Sequence, residues 1–472
     1  MYFRYTNNQP SGNIPGFNCS LDFPLQNRRL ILNSPGKLLF KIDAGGCLGG
    51  RLRVPGDKSI SHRVIMLGSL ALGVTRVSGF LEGEDSLATL QAFRRMGVSI
   101  EGPDKGCVTI QGVGMHGLQQ PDGPLDLGNS GTSMRLLAGL MSGQAFPVTL
   151  TGDSSLCSRP MRRITEPLAR MGARIESSSE GTAPLRIECG GALVGINYLM
   201  PVASAQVKSS LLLAGLYAEG DTCVSEPAPT RDHTERMLHG FGYQVSRNGN
   251  RICLTGGGML TASDLDIPAD ISSAAFFLVG ATIAENSDLV LEHVGINPTR
   301  DGVINILRQM GADIEVLNLR SVGGEQVADL RVRSADLRGV RIPPDQVPLA
   351  IDEFPALFIA AACADGETVL TGAAELRVKE SDRIQVMADG LIALGVDARP
   401  TADGMIIKGG SIAGGRVLSH GDHRIAMAFA MAALRSDKPI VVEDCANVNT
   451  SFPGFVDLAA TAGLAIRSYK EA

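Results

Sequence analysis

The sequence predicts an α/β protein of two lobes, assembled from six β-α-β-α-β-β units, three to a lobe, with buried helices. Three observations carry that expectation. A short phrase, an apolar helix end followed by glycine and a β-like run, recurs along the chain. Two helix-like segments separated by a strand-like run precede each copy. The first helix of each unit is apolar on nearly every side.

The phrase reads RRMGVSI, ARMGARI, HGFGYQV, RQMGADI, IALGVDA and ATAGLAI, with its glycine at Gly97, Gly172, Gly242, Gly311, Gly395 and Gly463. These glycines stand 75, 70, 69, 84 and 68 residues apart, a period that points to a repeat architecture. Glycine closes a helix because it takes the left-handed conformation cheaply. In the first unit SHRVIMLGSLALG, TRVSGF and EDSLATLQAFRRMG read as helix, strand and helix. The third repeats this with SAQVKSSLLLAGLYAEG, DTCVSE and TRDHTERMLHGFG. Runs such as LLLAGL, AAFFLVGA, ALFIAAACA and RIAMAFAMAAL have no polar face and belong inside a core. Six units of about 70 residues exceed one core, so three plus three is the natural division. The third unit ends near Gly256-Gly257-Gly258 and LDIPADISS opens the fourth, which puts a boundary close to Leu265.

Composition narrows the function. The 472 residues are 44% hydrophobic and 19% charged, ordinary for a soluble globular protein. Aromatics make up 4%, tryptophan is absent and net charge is −6, which argues against nucleic-acid stacking surfaces and polybasic membrane contacts. Any anion site is therefore a local gathering of Lys and Arg. The nine cysteines are scattered without a CxxC, so neither a zinc site nor a disulfide framework is expected, and a reducing, cytoplasmic setting follows. No apolar run is long enough to span a bilayer. Residues 1–37, rich in Asn, Pro and Gly, read as a flexible N-terminal extension, since no charged region leads into an apolar stretch there.

Polar residues collect where helices begin. First-helix starts read GDKSISHR, GNSGTSMR, ASAQVKSS, ADISSAAF, IDEFPALF and GDHRIAMA; second-helix starts include SRPMRR, TRDHTE and VKESDR. A helix N-terminus carries free N–H groups and partial positive charge, so it suits phosphate and carboxylate. Two lobes aiming such ends at one cleft would hold a small, multiply anionic substrate.

At these residues the chain resembles the family of 3-phosphoshikimate 1-carboxyvinyltransferases, also called 5-enolpyruvylshikimate-3-phosphate synthases. The likeness is carried in order by PGDKSISHR, LGNSGTSMRLL, the SRP of LCSRPMRR, SAQVKSS, EPAPTRDHTE, IDEFP, LRVKESDR, DHRIAM and TSFPGF, from about Gly50 to Phe455. It implies an inside-out α/β barrel in each lobe. It also implies a discontinuous lobe 1 from residues 38–56 and 265–472 and a lobe 2 from 57–264. The implied reaction joins shikimate 3-phosphate and phosphoenolpyruvate: the 5-hydroxyl attacks C2, C3 is protonated, and phosphate leaves. No metal or organic cofactor is implied, and the partners are small-molecule substrates bound by a monomer.

Residue by residue, the resemblance makes Asp352, Glu380 and Lys58 the catalytic candidates, with Asp352 taking the hydroxyl proton and Glu380 giving one to C3. Shikimate 3-phosphate is assigned Lys58, Ser59, Arg63 (on its carboxylate), Ser204, Ala205, Gln206, Arg231, Asp352 and Lys379. Phosphoenolpyruvate is assigned Lys58, Asn129, Gly131, Thr132, Arg159, Gln206, Arg383 and Arg424. Alanine at position 205 keeps an N–H but lacks the hydroxyl that serine supplies in many members, and Lys208 with Arg231 offsets that loss. Thr450 stands where many members have lysine, which implies one cation fewer beside phosphoenolpyruvate; GAAEL replaces a stretch where others have an asparagine. Without the resemblance, an aspartate such as Asp352 reads more simply as a helix cap, and Lys58 and Ser59 as a solvated helix start.

Three rivals are weighed. The sister enzyme that transfers enolpyruvate to a UDP-amino sugar uses a loop cysteine five residues before an Arg-Pro, where this chain has Ser154; Cys157 is two residues before Arg159. A P-loop kinase needs Gly-Lys adjacent, and Asp57 separates them. A binding solenoid would spread charge along an exposed face and not gather it at helix starts.

Overall fold

A computed structural model describes residues 37–470 apart from residue 190; the expected extension, Lys37 excepted, lies outside the described residues. The third unit shows the plan. Strand Asn197–Leu199, helix Ala205–Gly215, strand Asp221–Ser225 and helix His233–Gly240 lead into a hairpin of Ser246–Asn248 and Arg251–Thr255. The first two strands pair in parallel and the hairpin adds antiparallel strands to them. Six sheets occur among the described residues, five of this kind and a sixth of three antiparallel strands with isolated parallel bridges beside it.

All six repeated glycines take a left-handed backbone, with φ between +80° at Gly242 and +116° at Gly463. That conformation closes the helix and turns the chain into the next strand, which explains why the phrase repeats around glycine.

The first helices are the cores. Every residue of Ile271–Ile283 and of His423–Ala432 is buried. One apolar cluster runs from Ile60 to Ile267, and here forms lobe 2. The other joins Phe40–Val54 to Ala269–Leu464 and forms lobe 1. In both, helices lie inside and sheets outside, the inside-out arrangement of an α/β barrel.

Strands exchanged along the chain close each lobe. Gly49–Leu52 pairs in parallel with Asp288–Gly295, and Leu38–Ile42 lies between Ile440–Glu443 and Ile466–Lys470. The N-terminal strands thus complete sheets of the C-terminal units. In return, Leu260–Thr261 and Leu265–Asp266 pair with Ala71–Ser78. The sheet of lobe 2 thus includes Leu265 and Asp266. The two crossing segments meet at an antiparallel bridge between Gly56 and Ala269. Asp57 N–H donates to Pro268 O and Asp270 N–H to Pro55 O, at 2.8 and 2.9 Å. Gly56 must lack a side chain there, since a Cβ would sit 1.8 Å from Gly79 O.

One cysteine expectation is corrected. Cys223 and Cys253 face each other across antiparallel strands, Cα atoms 4.1 Å apart, and form a disulfide. Strand register across 30 residues brings them together, and linear spacing carries no sign of it. Among the described residues no helix is long and apolar enough to cross a membrane.

Candidate functional site

Helix starts from both lobes open onto one cleft of about 270 Å³, near the lower end of small-molecule sites (~300–1,000 Å³). Every site residue expected from the sequence lines it except Arg63 and Arg383. Four side-chain contacts between the two walls cross from lobe to lobe. Arg231 pairs with Asp352, Arg163 lies 3.0 Å from Glu375, and Arg159 lies 3.9 Å from Glu380. Lys58 Nζ donates to Ser451 Oγ at 2.7 Å. In each, lobe 2 supplies the cation and lobe 1 the oxygen. A polyanion entering the cleft competes with these oxygens for the same cations.

Lys58 is the first residue of helix Lys58–Leu70, whose N-cap Asp57 accepts from Ile60 N–H. Its ammonium also meets Asp85 Oδ2 at 3.0 Å. Arg63, one turn on, is buried and donates to Thr234 Oγ1, Ser209 Oγ and Ser59 O. All three acceptors are neutral, and burial pulls its guanidinium down to about 10. Asp57 is held low by Arg300 against the desolvation of its burial.

The helix Gly131–Met141 is capped by Ser130. Gly131 has an ordinary helical position, so its value is space: a Cβ there would stand 3.1 Å from Arg159 Nη1 and 3.3 Å from Arg135 Nη1. Asn129 Oδ1 accepts from Arg159 Nη2 at 2.5 Å. Gln206 accepts from Arg135 Nη1 at 2.5 Å and donates to Thr132 Oγ1 at 3.1 Å, so Arg135 sets the orientation of the Gln206 amide. Burial, then the neighbouring Arg163 and Arg159, bring Arg135 to about 10. Ser204 caps helix Ala205–Gly215, leaving the first amides of that helix aimed at the cleft.

Lys208 corrects an expectation. It is neither a cleft residue nor a surface one: its ammonium is fully buried, 3.0 Å from Glu226 and 2.8 Å from Glu235. It also donates to Thr230 O at 3.3 Å, bracing the loop that carries Arg231. The rotation of its helix in the core turns Gln206 outward and Lys208 inward.

Lobe 1 gathers the carboxylates. Asp352 lies 3.3 Å from Lys379 and 3.4 Å from Arg383, besides its pair with Arg231. Burial would raise its pKa, but Lys379, Arg231, Arg424 and Arg383 together hold it well below the usual carboxylate range. Glu380 is held low in the same way, chiefly by Arg383. Arg383 is 1% exposed and stands behind the wall, 2.6 Å from Glu380 and 2.8 Å from Asp422; these carboxylates occupy its fork. Arg424 Nη1 donates to Asp352 O at 3.0 Å.

The two departures in sequence acquire structure. Thr450 turns away, donating to Asn447 O at 2.7 Å, while its neighbour Ser451 reaches Lys58. In GAAEL, Glu375 supplies the partner of Arg163. Sequence reasoning missed Asp85, Arg163, Glu375, His423 and Ser451; of these, His423 was within reach, inside the DHRIAM stretch. Among the described residues no cluster of three or more His, Cys, Asp or Glu is arranged to hold a metal ion.

Two buried histidines make stability pH-dependent. Burial, with Lys58 nearby, pulls His423 down to about 3, and burial holds His62 well below its usual value. In the unfolded chain both titrate near ~6.5. Because the folded values are depressed, this stability is complete above about pH 6.5 and lost as pH falls below it. The urea midpoint is expected to drop between pH 7.5 and 5.0, and less steeply in His423→Gln. Equal slopes for variant and wild type would refute the contribution of His423.

Comparison with known proteins agrees with the geometry. The family model for EPSP synthase (3-phosphoshikimate 1-carboxyvinyltransferase) matches residues 42–458. The 3-phosphoshikimate 1-carboxyvinyltransferase of Methylococcus capsulatus is 70% identical over 429 residues, 91% of this chain and 98% of that protein. That of Alkalilimnicola ehrlichii is 71% identical over 428 residues, 90% of this chain and 96% of that protein. The 2.37 Å structure of EPSP synthase from Acinetobacter baumannii is 60% identical, with a TM-score of 0.84, covering 92% of this chain and all of that one. With six repeats, two lobes and one charge-paired cleft already established, these likenesses make the chain a member of the EPSP synthase family.

Proposed function

We propose that the chain transfers the enolpyruvyl group of phosphoenolpyruvate to the 5-hydroxyl of shikimate 3-phosphate, releasing phosphate, as a step of aromatic amino acid biosynthesis. The observation that carries this reading is the meeting of a cationic wall on lobe 2 with Asp352 and Glu380 on lobe 1. Both substrates are polyanions, and the cleft offers cations in separate groups for each.

The roles follow from position. The amides that open helix Ala205–Gly215, with Ser204, Gln206, Arg231 and Lys379, take the phosphate of shikimate 3-phosphate. Ser59 meets its carboxylate, and Arg63, buried behind Ser59 with only neutral acceptors of its own, lends positive charge to that end of the cleft. Arg159 and Arg424, with Arg383 behind them, neutralise phosphoenolpyruvate beside Asn129, Gly131 and Thr132, and Lys58 lies between the substrates. When a phosphate draws Arg231 and Lys379 away from Asp352, the pull on that carboxylate weakens and its pKa rises. A stronger base then faces the 5-hydroxyl. Phosphoenolpyruvate acts likewise on Glu380 through Arg159 and Arg383. The raised pKa lets Glu380 carry the proton that C3 needs.

With this reading we place the lobe crossings at Gly56–Asp57 and Pro268–Asp270, where the two segments pair, with lobe 1 from 38–56 and the C-terminal units. A cytoplasmic monomer without nucleic-acid or membrane partners completes the proposal. The test is phosphate release from phosphoenolpyruvate with either shikimate 3-phosphate or UDP-N-acetylglucosamine as acceptor. Release is expected with the first only; release with the second, or with neither, would overturn it.

A further inference from the structure

Lys58 belongs to lobe 2, yet its ammonium, like its backbone N–H to Asp270, donates a hydrogen bond to lobe 1. Its ammonium has three N–H donors. One goes to Asp85 Oδ2 at 3.0 Å and one to Ser451 Oγ at 2.7 Å, which leaves one for a substrate. Ser451 closes the short helix Val448–Ser451 and is itself buried. Its oxygen also lies 3.2 Å from His423 Nε2. This second contact fixes the Ser451 hydroxyl from the side opposite Lys58. His423 is neutral because burial and Lys58 both disfavour its charged form.

The lobes are also in tight contact here. A Cβ on Gly83 of lobe 2 would stand 2.5 Å from the carbonyl oxygen of Thr450 in lobe 1. Gly83 precedes helix Glu84–Arg95, which carries Asp85. The two anchors of Lys58 therefore sit on either side of a backbone contact that exists only while the lobes are together.

We propose that Ser451, backed by His423, is a positioning residue that holds the Lys58 ammonium across the cleft and makes the placement of that lysine depend on the approach of the two lobes. The proposal rests on the enolpyruvyl-transfer reading for its kinetic consequences but not for the contact itself. Thr450 cannot serve in its place, because its hydroxyl is turned to Asn447 O.

Two kinds of measurement test it. Acetylation of Lys58 by acetic anhydride, quantified by peptide mass spectrometry, reads the contact without turnover. Ser451→Ala is expected to raise its rate about fivefold, in line with loss of one charge-assisted hydrogen bond; an unchanged rate overturns the proposal. In turnover, Ser451→Ala is expected to lower kcat/KM for phosphoenolpyruvate about tenfold, as loss of one such bond does. Ser451→Thr, which keeps the hydroxyl, should recover most of that loss. Gly83→Ala, which pushes Thr450 away, should reproduce part of the loss. In a Lys58→Met background, single-turnover rates should show no further loss from Ser451→Ala. An equal loss in both backgrounds would mean that Ser451 acts on the fold and not through Lys58, and would overturn the proposal. Faster labelling in a protein whose wild type shows no transfer would refute the reaction and leave the contact standing.

Discussion

Replacing Asp352 by asparagine is expected to lower kcat by ~10²–10⁴, the range typical of losing a positioned general base. Asparagine keeps the size of the side chain and an oxygen that can still accept from Arg231, Lys379 and Arg383, so the fold and much of the cleft should persist. What disappears is the negative charge and with it the ability to take a proton. The pH profile carries a second signature. In the free protein four cations hold Asp352 well below the usual range. In the proposed reading shikimate 3-phosphate draws on two of them, which would raise the pKa in the complex. The wild-type kcat should fall as pH drops through that raised value, and the variant should lack this acid limb. Initial rates at saturating substrates from about pH 5 to pH 9 measure both effects. A loss of less than tenfold, or an unchanged acid limb, would remove Asp352 from the role of base.

Arg424→Ala is expected to cost at least about a hundredfold in kcat/KM for phosphoenolpyruvate, or ~2.7 kcal/mol of transition-state stabilisation. Arg424 is the second residue of a helix, His423–Ala432, that is buried throughout, and Asp422 Oδ1 accepts its backbone N–H at 2.9 Å. The helix start therefore survives loss of the side chain. Its guanidinium is 3.8 Å from Glu353 and donates to Asp352 O at 3.0 Å. Glu353 remains bonded to Ser272 and 3.9 Å from Arg300, so removing Arg424 strands no buried carboxylate. The defect should thus appear in catalysis and not in the unfolding midpoint. Arg424→Lys keeps the charge but loses the planar fork, and should fall between the two. A near-normal rate for the alanine variant would refute the assignment.

The sequence by itself determined the repeat and the parts list. Helix-closing glycines, apolar first helices and polar helix starts are local features, set by backbone sterics and by the burial of contiguous side chains. That is why the helix-closing glycines from Gly97 to Gly463 and the buried first helices were legible in advance, whereas Lys58, Arg159, Gln206, Asp352, Glu380 and Arg424 were singled out by the family resemblance, since alone an aspartate such as Asp352 reads as a cap. Tertiary structure alone decided which side chains reach the cleft. Lys208 and Gln206 share a helix start, and only the rotation of that helix in the core sends one to Glu226 and the other to the wall. Arg63 and Arg383 have the right chemistry but sit behind the wall, bonded to neighbours that arrive from distant segments. The strands exchanged by the N-terminus, the Cys223–Cys253 pair and the contact of Lys58 with Ser451 likewise join residues far apart in the chain. A linear pattern reports which face of its own helix or strand a residue occupies; it holds no information about what another element places opposite that face. The pairing of lobe 2 cations with lobe 1 oxygens across the cleft is decided there.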